Sequence, residues 1–578
     1  MSTFSSEPAR PASFSTLIEA LTAAPSELPF VTMWNDDDDV RTVSFGEFRR
    51  QAESVAGYLQ SNGLRAGDTV ILIMPQGIEL MAAFLGAMSL GAVPAILAYP
   101  NFKVEPAKYR QGLGGVTENL KARMIVLDDG FPPELMDYVA ASDETLVLRS
   151  FANPAPESIA PLTMPQAPPD SLALIQHSAG TTGLQKGVAL SHAAVLRQLD
   201  HLAAALQIND QDCVYSWLPL YHDMGLIACF MLPLAFHLPV VMQSPADWVM
   251  QPLTMLRLIS DYNCTLAWIP NFTLQFLARR AHRNDRDGFD LSSLRALINC
   301  SEPVRAQSMD EFAAAYESSG LRRNALQSSY AMAENVFAVT QSGVDRQPRR
   351  VWVDGDRLRA ERIAVTMADG ADGALCLVSS GSCLPENEVR IAAPDGEALP
   401  DGSVGEILIR SDSLFDGYYN RPDLTAEVLR NGWYWSGDLG FRLDRELYVI
   451  GRQKDMMIVA GKNIYPQDVE EIAIAHPAIH DGRAVAFGLY NSALGTEDII
   501  VVAEVEREEE LNAAFEIERA VRNSIVAELG VAVRAVYLKP PRWLVKSTAG
   551  KAARSATKEK LIREHPELVE AETSGGRR

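Results

Sequence analysis

Positive charge and cysteine are both scarce in this sequence, and each scarcity excludes a class of function. The chain has 52 lysines and arginines against 74 aspartates and glutamates, a formal net charge of −22 at pH 7. Binding to nucleic acid requires clustered basic side chains, so the composition argues against nucleic acid but allows a small acidic ligand at a local positive site. The six cysteines include no CxxC pair, which indicates reduced core thiols rather than a disulfide framework or a zinc site.

The sequence also lacks an uninterrupted apolar segment of membrane-spanning length. The longest candidate, residues 78–98, contains Glu79, Gly86, Gly91 and Pro94, so it predicts a buried helix followed by a strand. The N-terminal residues are polar and rich in proline and serine, without the apolar core of a signal peptide. We therefore expect a cytoplasmic protein without a membrane span.

The length and the hydrophobic pattern predict two domains of α/β type. A chain of 578 residues exceeds what one hydrophobic core supports. Between about residues 70 and 329, short apolar runs alternate with amphipathic helical patterns, which is typical of doubly wound, mostly parallel sheets. Turn signals after Cys376 predict a small antiparallel or barrel-like subdomain. We expect a large domain over residues 1–453 and a small, mobile α+β C-terminal domain over residues 454–578.

One segment combines glycines with hydroxyl and ammonium groups, namely HSAGTTGLQKG over residues 177–187. It follows a predicted strand. Glycines let the backbone approach an anion closely, while the hydroxyls and Lys186 supply hydrogen-bond donors and charge. The spacing is not that of a Walker loop. Taken alone, the segment is explained equally well as a flexible surface turn.

Four further motifs follow in order: YAMAE from Tyr330, WSGD from Trp435, GRQKD from Gly451 and KSTAGK from Lys546. Together with the glycine-rich segment, this set resembles the superfamily of adenylate-forming enzymes, which includes acyl- and aryl-CoA ligases, adenylation domains and luciferases. The resemblance extends from about residue 44 to residue 561. It implies that the chain uses ATP and Mg²⁺ as cofactors.

The resemblance also implies which residues bind the nucleotide. The glycine-rich loop would hold the phosphates, Tyr330 would stack on adenine opposite the loop after Asn299, and Asp438 would accept hydrogen bonds from the ribose with help from Arg452. The implied nucleotide-binding residues are Ser178, Thr181, Thr182, Gly183, Lys186, Ser301, Glu302, Pro303, Ser329, Tyr330, Ala331, Asp438 and Arg452.

Two residues would carry the chemistry of the implied reaction. A carboxylate must attack the α-phosphorus of ATP, and the two anions repel each other. Lys551 would reach the carboxylate and the α-phosphate, and Glu334 would bind Mg²⁺, so that positive charge opposes the developing negative charge. Lys454 would be the hinge between the domains. The retention of Lys551, Glu334 and Asp438 argues against a catalytically inactive nucleotide-binding regulator.

Several segments resemble the fatty acyl-AMP ligase branch, among them WLPLYHDMGL from Trp217 and GKNIYPQDVE from Gly461. A long stretch between Glu334 and Gly381 is similar in place to an insertion of that branch, and its VWVDGD pattern from Val351 predicts a surface hairpin. The branch implies transfer of the acyl group to an acyl carrier protein. An acyl-CoA ligase remains the alternative, because Trp268 replaces the small residues common in that branch and the insertion is short.

The predicted acid pocket is mostly apolar, so we expect a carboxylic acid with a hydrophobic body. For His222, a core histidine that caps a turn is an equal alternative. The pocket candidates are His222, Met224, Trp268, Asn271, Phe272 and Met332.

Overall fold

The first part of the chain alternates strands and helices. The computed structural model describes residues 14–100, 106–139, 145–149, 168–177, 186–281, 288–459, 462–491, 496–546 and 552–570. The elements of this part are α1 (Leu17–Ala23), β1 (Pro29–Asp36), β2 (Asp39–Ser44), α2 (Phe45–Ser61), β3 (Thr69–Ile73), α3 (Ile78–Ser89), β4 (Val93–Ile96), α4 (Pro106–Leu120), β5 (Met124–Leu127), β6 (Leu146–Arg149), β7 (Leu172–His177), β8 (Gly187–Ser191) and α5 (His192–Leu206).

Local sequence explains several of these boundaries. Ser44 and Glu47 form a reciprocal capping box that starts α2. Every residue of β3 is buried, as expected for a strand covered on both faces of a parallel sheet. That sheet has the order β4-β3-β5-β6, with all neighbours parallel. The helix and strand predicted from residues 78–98 are therefore confirmed. None of the helices described in this structure has the length and apolar content to cross a bilayer.

The middle of the chain supplies most of a second, larger sheet. Its elements are β9 (Val214–Ser216), a π-helix (Met224–Met231), α6 (Leu232–Phe236), β10 (Val240–Gln243), α7 (Pro245–Met250), α8 (Thr254–Asp261), β11 (Leu266–Ile269), α9 (Asn271–Ala281), β12 (Ala296–Asn299), α10 (Ala306–Tyr316), β13 (Leu326–Ala331) and β14 (Ala338–Gln341). In this sheet β1, β10, β9, β11, β12 and β13 lie side by side and are parallel, so their carboxyl ends meet at one edge.

Antiparallel pairing dominates the next segment. Its elements are β15 (Arg350–Asp354), α11 (Gly355–Ala360), β16 (Ala374–Val378), β17 (Ser382–Cys383), β18 (Asn387–Ala392), β19 (Gly405–Ser411), β20 (Gly417–Tyr418), α12 (Pro422–Val428), β21 (Leu429–Arg430), β22 (Trp433–Leu443) and β23 (Glu446–Arg452). The larger sheet has the order β17-β14-β13-β12-β11-β9-β10-β1-β2, and β18, β19, β21, β22 and β23 form the predicted antiparallel subdomain.

The stretch between Glu334 and Gly381, which we call the insertion, differs in one respect from the predicted surface hairpin. The strand at Val351 is present as β15, and it pairs with β16. The polar residues after it do not form a tight hairpin turn. The side chain of Asp354 accepts a hydrogen bond from the backbone N–H of Arg357 and caps α11, which connects the two strands. An aspartate followed by residues that tolerate a helix satisfies the helix N-cap as readily as a turn.

The last segment contains two further hydrophobic clusters. Its elements are β24 (Met457–Val459), β25 (Lys462–Ile464), α13 (Pro466–Ile474), β26 (Ile479–Asn491), β27 (Thr496–Val505), α14 (Ala514–Leu529), β28 (Val533–Lys539), α15 (Arg554–Glu564) and α16 (Glu567–Glu570). One cluster packs α13 and α14 against the sheet β26-β27-β28, and the second lies under α15. The domain boundary at residues 453 and 454 stays a prediction.

Candidate active site

Tyr330 and Asp438 join the large sheet to the antiparallel subdomain. Tyr330 lies near the carboxyl end of β13, and its hydroxyl donates a 2.6 Å hydrogen bond to Oδ2 of Asp438. Arg452 is the cross-strand partner of Asp438, and its Nε lies 3.3 Å from Oδ1. The antiparallel register of β22 and β23 therefore brings the three predicted nucleotide-binding residues together.

The electrostatics of Asp438 follow from its burial. Loss of water raises the pKa of the Asp438 carboxyl above its ordinary value, while Arg452 and the Tyr330 hydroxyl oppose the rise. The Asp438 charge raises the pKa of Arg452 in turn. A carboxylate has about four acceptor positions, so these two contacts leave capacity for further donors such as hydroxyl groups.

Glu334 accepts a hydrogen bond from Tyr418, a residue that the sequence motifs did not indicate. It lies in a single 3₁₀ turn, Ala333–Asn335, and its Oε1 accepts a 2.7 Å hydrogen bond from the hydroxyl of Tyr418. Tyr418 is on β20, which pairs with β8 just after the glycine-rich segment. Lys186 Nζ lies 4.5 Å from the centre of the Tyr418 ring. Tyr418 thus connects the predicted metal ligand to the predicted phosphate-binding lysine.

The backbone after Glu334 adopts a rarely populated conformation. Val336 has φ 60° and ψ −53°, and the N–H of Phe337 donates to the carbonyl of Asn335 at 2.6 Å. This is the geometry of a γ-turn, which is rare and strained, more so for a β-branched residue. The Val336 side chain is completely buried, so packing holds the turn. Strain of this kind concentrates at functional sites.

Lys454 lies beside the same cluster of charges. It belongs to the 3₁₀ turn Gln453–Asp455 that follows β23. Partial desolvation lowers its pKa, and the positive charges of Arg452 and Lys186 add to that effect. The charge of Glu334 also acts on Arg452. Of the predicted catalytic and nucleotide-binding residues, the structure therefore brings together Lys186, Tyr330, Glu334, Asp438, Arg452 and Lys454.

Some predicted residues cannot be placed, and some have structural partners. Those that lie outside the described residues are Ser178, Thr181, Thr182, Gly183 and Lys551. Their roles stay predictions. Arg554, at the start of α15, is held by Asp455 and Glu470, each at 2.8 Å. The first of these ion pairs attaches the start of α15, three residues after Lys551, to Asp455, the residue after Lys454.

The loop after β12 is attached to the neighbouring helix. Ser301 has φ 68°, in the left-handed region, and Glu302 accepts a 3.0 Å hydrogen bond from the backbone N–H of Phe272. Pro303 is exposed, and Ala331 is half-buried. The hydroxyl of Ser329 donates to the carbonyl of Thr340 at 2.8 Å, so it serves strand pairing between β13 and β14.

Two of the polar pocket candidates are engaged by the protein itself. His222 Nδ1 lies 2.6 Å from Oδ1 of Asp223, which also accepts the N–H of Met224 at 2.7 Å. This is the turn-capping alternative for His222. Asn271 accepts from Asn299 at 2.7 Å and donates to Ser308 at 3.1 Å, so it fixes neighbouring elements, and its role as a pocket contact stays a prediction.

One apolar candidate, Phe272, contacts two tryptophans that the sequence motifs did not indicate as pocket residues. Met224 and Trp268 are buried, whereas Phe272 and Met332 are half-buried. Trp217 and Trp248 stack with ring centroids 3.9 Å apart, and each makes an edge contact with Phe272. Trp217 is the first residue of the WLPLYHDMGL motif. No spacing rule links it to Trp248, because the two residues follow different strands.

Comparisons with known proteins agree with this geometry. The family model for AMP-binding enzymes matches residues 19–419. A putative acyl-CoA synthetase of Caulobacter vibrioides is 28% identical over 96% of this chain and 97% of its own length. A medium-chain-fatty-acid–[acyl-carrier-protein] ligase of Moorena producens is 29% identical over 95% of both proteins. A solved structure from studies of the fatty acyl-adenylate ligases of E. coli and L. pneumophila has a TM-score of 0.88 and 29% identity, covering 97% of this chain and all of that chain.

The family match includes Lys186, Glu334 and Tyr418, and it extends over more than half of the chain. The resemblance seen in the sequence, including its fatty acyl-AMP ligase branch, is therefore confirmed. This chain belongs to the family of AMP-binding enzymes.

Proposed function

We propose that this enzyme activates a hydrophobic carboxylic acid with ATP, releases pyrophosphate, and transfers the acyl group from acyl-AMP to the phosphopantetheine thiol of an acyl carrier protein in the cytoplasm. The observation that carries the proposal is the convergence of Lys186, Glu334, Asp438 and Arg452 next to the carboxyl ends of the parallel strands. Ligands of open α/β sheets bind at this edge.

The residues present fit ATP with Mg²⁺. Glu334 offers a carboxylate oxygen, the hard ligand that Mg²⁺ prefers, and Tyr418 orients that carboxylate. When bound, Mg²⁺ would neutralise charge on the phosphates. Lys186 would contact the phosphates, and Asp438 with Arg452 would hold the ribose. Lys551 would stabilise the negative charge that develops as the carboxylate oxygen attacks the α-phosphorus.

The insertion supports the carrier protein as acceptor. The amide of Asn463, on β25, donates a 2.7 Å hydrogen bond to the carbonyl of Arg359 in α11. Asp468 of α13 lies 4.0 Å from Arg359 Nε. These contacts attach the predicted C-terminal domain to the insertion, and they would restrain this domain from the pose that thioester formation with free CoA needs.

An acyl-CoA ligase is the second candidate, favoured by the similarity to the putative acyl-CoA synthetase. Mass spectrometry of acyl-AMP formed from a panel of acids tests the first half-reaction. Addition of phosphopantetheinylated carrier protein or of CoA then compares the acceptors. The proposal expects faster thioester formation on the carrier. Comparable turnover with CoA would instead establish the acyl-CoA ligase.

A matched pair of variants tests the restraint. Asn463→Ala removes the hydrogen bond to Arg359 and should raise turnover with CoA relative to the carrier. Asn491→Ala removes a 2.9 Å bond to Asp498 within the predicted C-terminal domain and should leave the ratio unchanged. If Asn463→Ala leaves the ratio of CoA turnover to carrier turnover unchanged, the insertion does not determine the acceptor, whereas the proposed formation of acyl-AMP is unaffected.

A further inference from the structure

Two stacked tryptophans stand at the edge of the sheet where the acid would bind. Trp217 directly follows β9, and Trp248 lies on α7, which follows β10. Their rings are nearly parallel, with an interplanar angle of 7°. Both side chains are buried, with 6% and 2% of their surface exposed. The pair therefore occupies the carboxyl ends of two adjacent parallel strands, where side chains reach a bound ligand.

The pair is connected to the predicted nucleotide wall through one aromatic residue. Phe272 contacts both indole rings, with centroid distances of 6.2 and 6.0 Å. The backbone N–H of Phe272 donates to Glu302, the neighbour of Ser301. Phe272 therefore links the two tryptophans to the loop after β12, which the nucleotide would contact. The tryptophans lie on the side of this loop toward β9 and β10.

Each indole carries a hydrogen-bond donor that the protein does not use. Within the described part of the chain, neither Trp217 Nε1 nor Trp248 Nε1 has a hydrogen-bond partner. An indole nitrogen can only donate, so this assignment does not depend on the orientation of an amide. The T-shaped contact with Phe272 offers at most a ring face, which is a weak acceptor. A buried donor without an acceptor is costly, and native proteins rarely retain one.

The loop that carries Trp217 is fixed before any ligand binds. The N–H of Leu218 donates to Ser216 Oγ at 3.1 Å. Gln76 donates to the carbonyl of Leu218 and accepts from the N–H of Leu220, both at 3.1 Å. A donor held in place by such contacts loses little freedom when a ligand supplies the acceptor.

We propose that the acid carries an acceptor oxygen (a hydroxyl, keto or ether group) on its hydrocarbon body, and that the indole N–H groups of Trp217 and Trp248 recognise this oxygen. The proposal rests on the adenylating function and names the substrate class within it. A site built to hydrogen-bond a substrate oxygen discriminates strongly against the analogue that lacks it, because the buried donors then remain unpaired. A plain alkyl acid should accordingly be the poorer substrate.

The test measures pyrophosphate release with matched acids. Unsubstituted acids of several chain lengths are compared with acids of the same length that carry a hydroxyl, keto or ether oxygen at successive positions. For at least one position, kcat/KM should exceed that of the plain acid by about tenfold or more. Trp217→Phe and Trp248→Phe should each reduce this ratio. Trp433→Phe, which changes a buried tryptophan on β22, should leave it unchanged.

A second measurement needs no variant that could fail to fold. Spectra of ¹⁵N-labelled tryptophan indoles in the wild-type protein should show N–H resonances that move on binding of the oxygenated acid with ATP, but not with the plain acid. Equal kcat/KM for all matched pairs, or a preference that survives in both tryptophan variants, would overturn the proposal while acyl-AMP formation stands. Unmoved indole resonances would overturn it as well. Absence of acyl-AMP with every acid would instead reject the proposed function itself.

Discussion

The hydroxyl of Tyr418 and Oε1 of Glu334 lie 2.7 Å apart, although 84 residues separate them in the chain. The contact forms because β20 pairs with β8 and so carries Tyr418 next to Lys186 and Glu334 at the edge of the large sheet. A tyrosine that orients a carboxylate in this way would act through that carboxylate on a Mg²⁺ ion bound to Glu334.

Loss of that hydroxyl should weaken the response to Mg²⁺. In Tyr418→Phe the carboxylate of Glu334 loses its donor, so the Mg²⁺ concentration for half-maximal adenylation should rise about 10–100-fold. Tyr490→Phe, at a side chain that is 59% exposed, is the matched control. An unchanged Mg²⁺ dependence in Tyr418→Phe would show that the contact is structural only.

Asp438→Asn should raise the KM for ATP. The substitution replaces the charged acceptor that would bind the ribose hydroxyls with a weaker neutral one, so the affinity for ATP should fall about tenfold. Because burial raises the pKa of Asp438, acidification should weaken ATP binding by the wild type at a higher pH than for an exposed aspartate, and the variant should lack this dependence. Asp444→Asn, at an exposed ion pair, serves as control.

Lys551→Ala tests the residue on which the proposed chemistry depends most. Adenylation should fall about 10²–10³-fold, the effect of losing one donor in the transition state, with little change in thermal unfolding. Lys560→Ala, in α15, should retain turnover. Normal formation of acyl-AMP by Lys551→Ala would reject the role.

Lys454→Pro tests the hinge. Proline fixes φ near −65°, so a residue that must change its backbone angles between the half-reactions can no longer do so. Thioester formation should slow more than acyl-AMP formation. Lys454→Ala removes the side chain but keeps the backbone freedom, so its two half-reactions should be affected equally. Equal losses in the proline variant would place the hinge elsewhere.

Asp468 should make the stability of the protein depend on pH. Burial raises its pKa from 3.8 to about 6, against the opposing charge of Arg359. The folded state therefore binds the proton more tightly than the unfolded state, and the contribution of this group to stability decreases as pH rises from about 4 to about 6. Asp468→Asn should unfold like the wild type near pH 4 and become relatively more stable by pH 7. A difference that does not change with pH would contradict this assignment.

The ordered motifs indicated several residues of the candidate site, and three of these motifs lie where a strand ends: the glycine-rich segment begins at the last residue of β7, YAMAE at the end of β13 and GRQKD at the end of β23. Another motif, WSGD, lies within β22, whose antiparallel pairing with β23 places Asp438 opposite Arg452. Tyr418 was missed because its partner is specified by β-strand pairing between distant segments, which periodicity does not encode. The stacking of Trp217 on Trp248 was missed for the same reason.

The helix that begins after Asp354 was not predicted, because the local sequence is ambiguous. An aspartate and a glycine after a strand suit both a turn and the start of a helix, and local sequence does not distinguish them. The choice depends on tertiary packing, since Leu358 of α11 is buried in a cluster that includes Tyr465 from the predicted C-terminal domain. The hydrogen bonds of Asn271 to residues of β12 and α10 were not predictable, because only the fold brings these residues near.

The γ-turn at Val336 also limits how this enzyme can be improved. Glycine at this position would adopt the positive φ without a clash and would relieve about 1–3 kcal/mol of backbone strain, but it would leave a cavity in place of a completely buried side chain. The same change would remove the buried side chain that holds the residues following Glu334 in place. The lost packing would offset the relieved strain, so this position offers no simple route to a more heat-resistant enzyme.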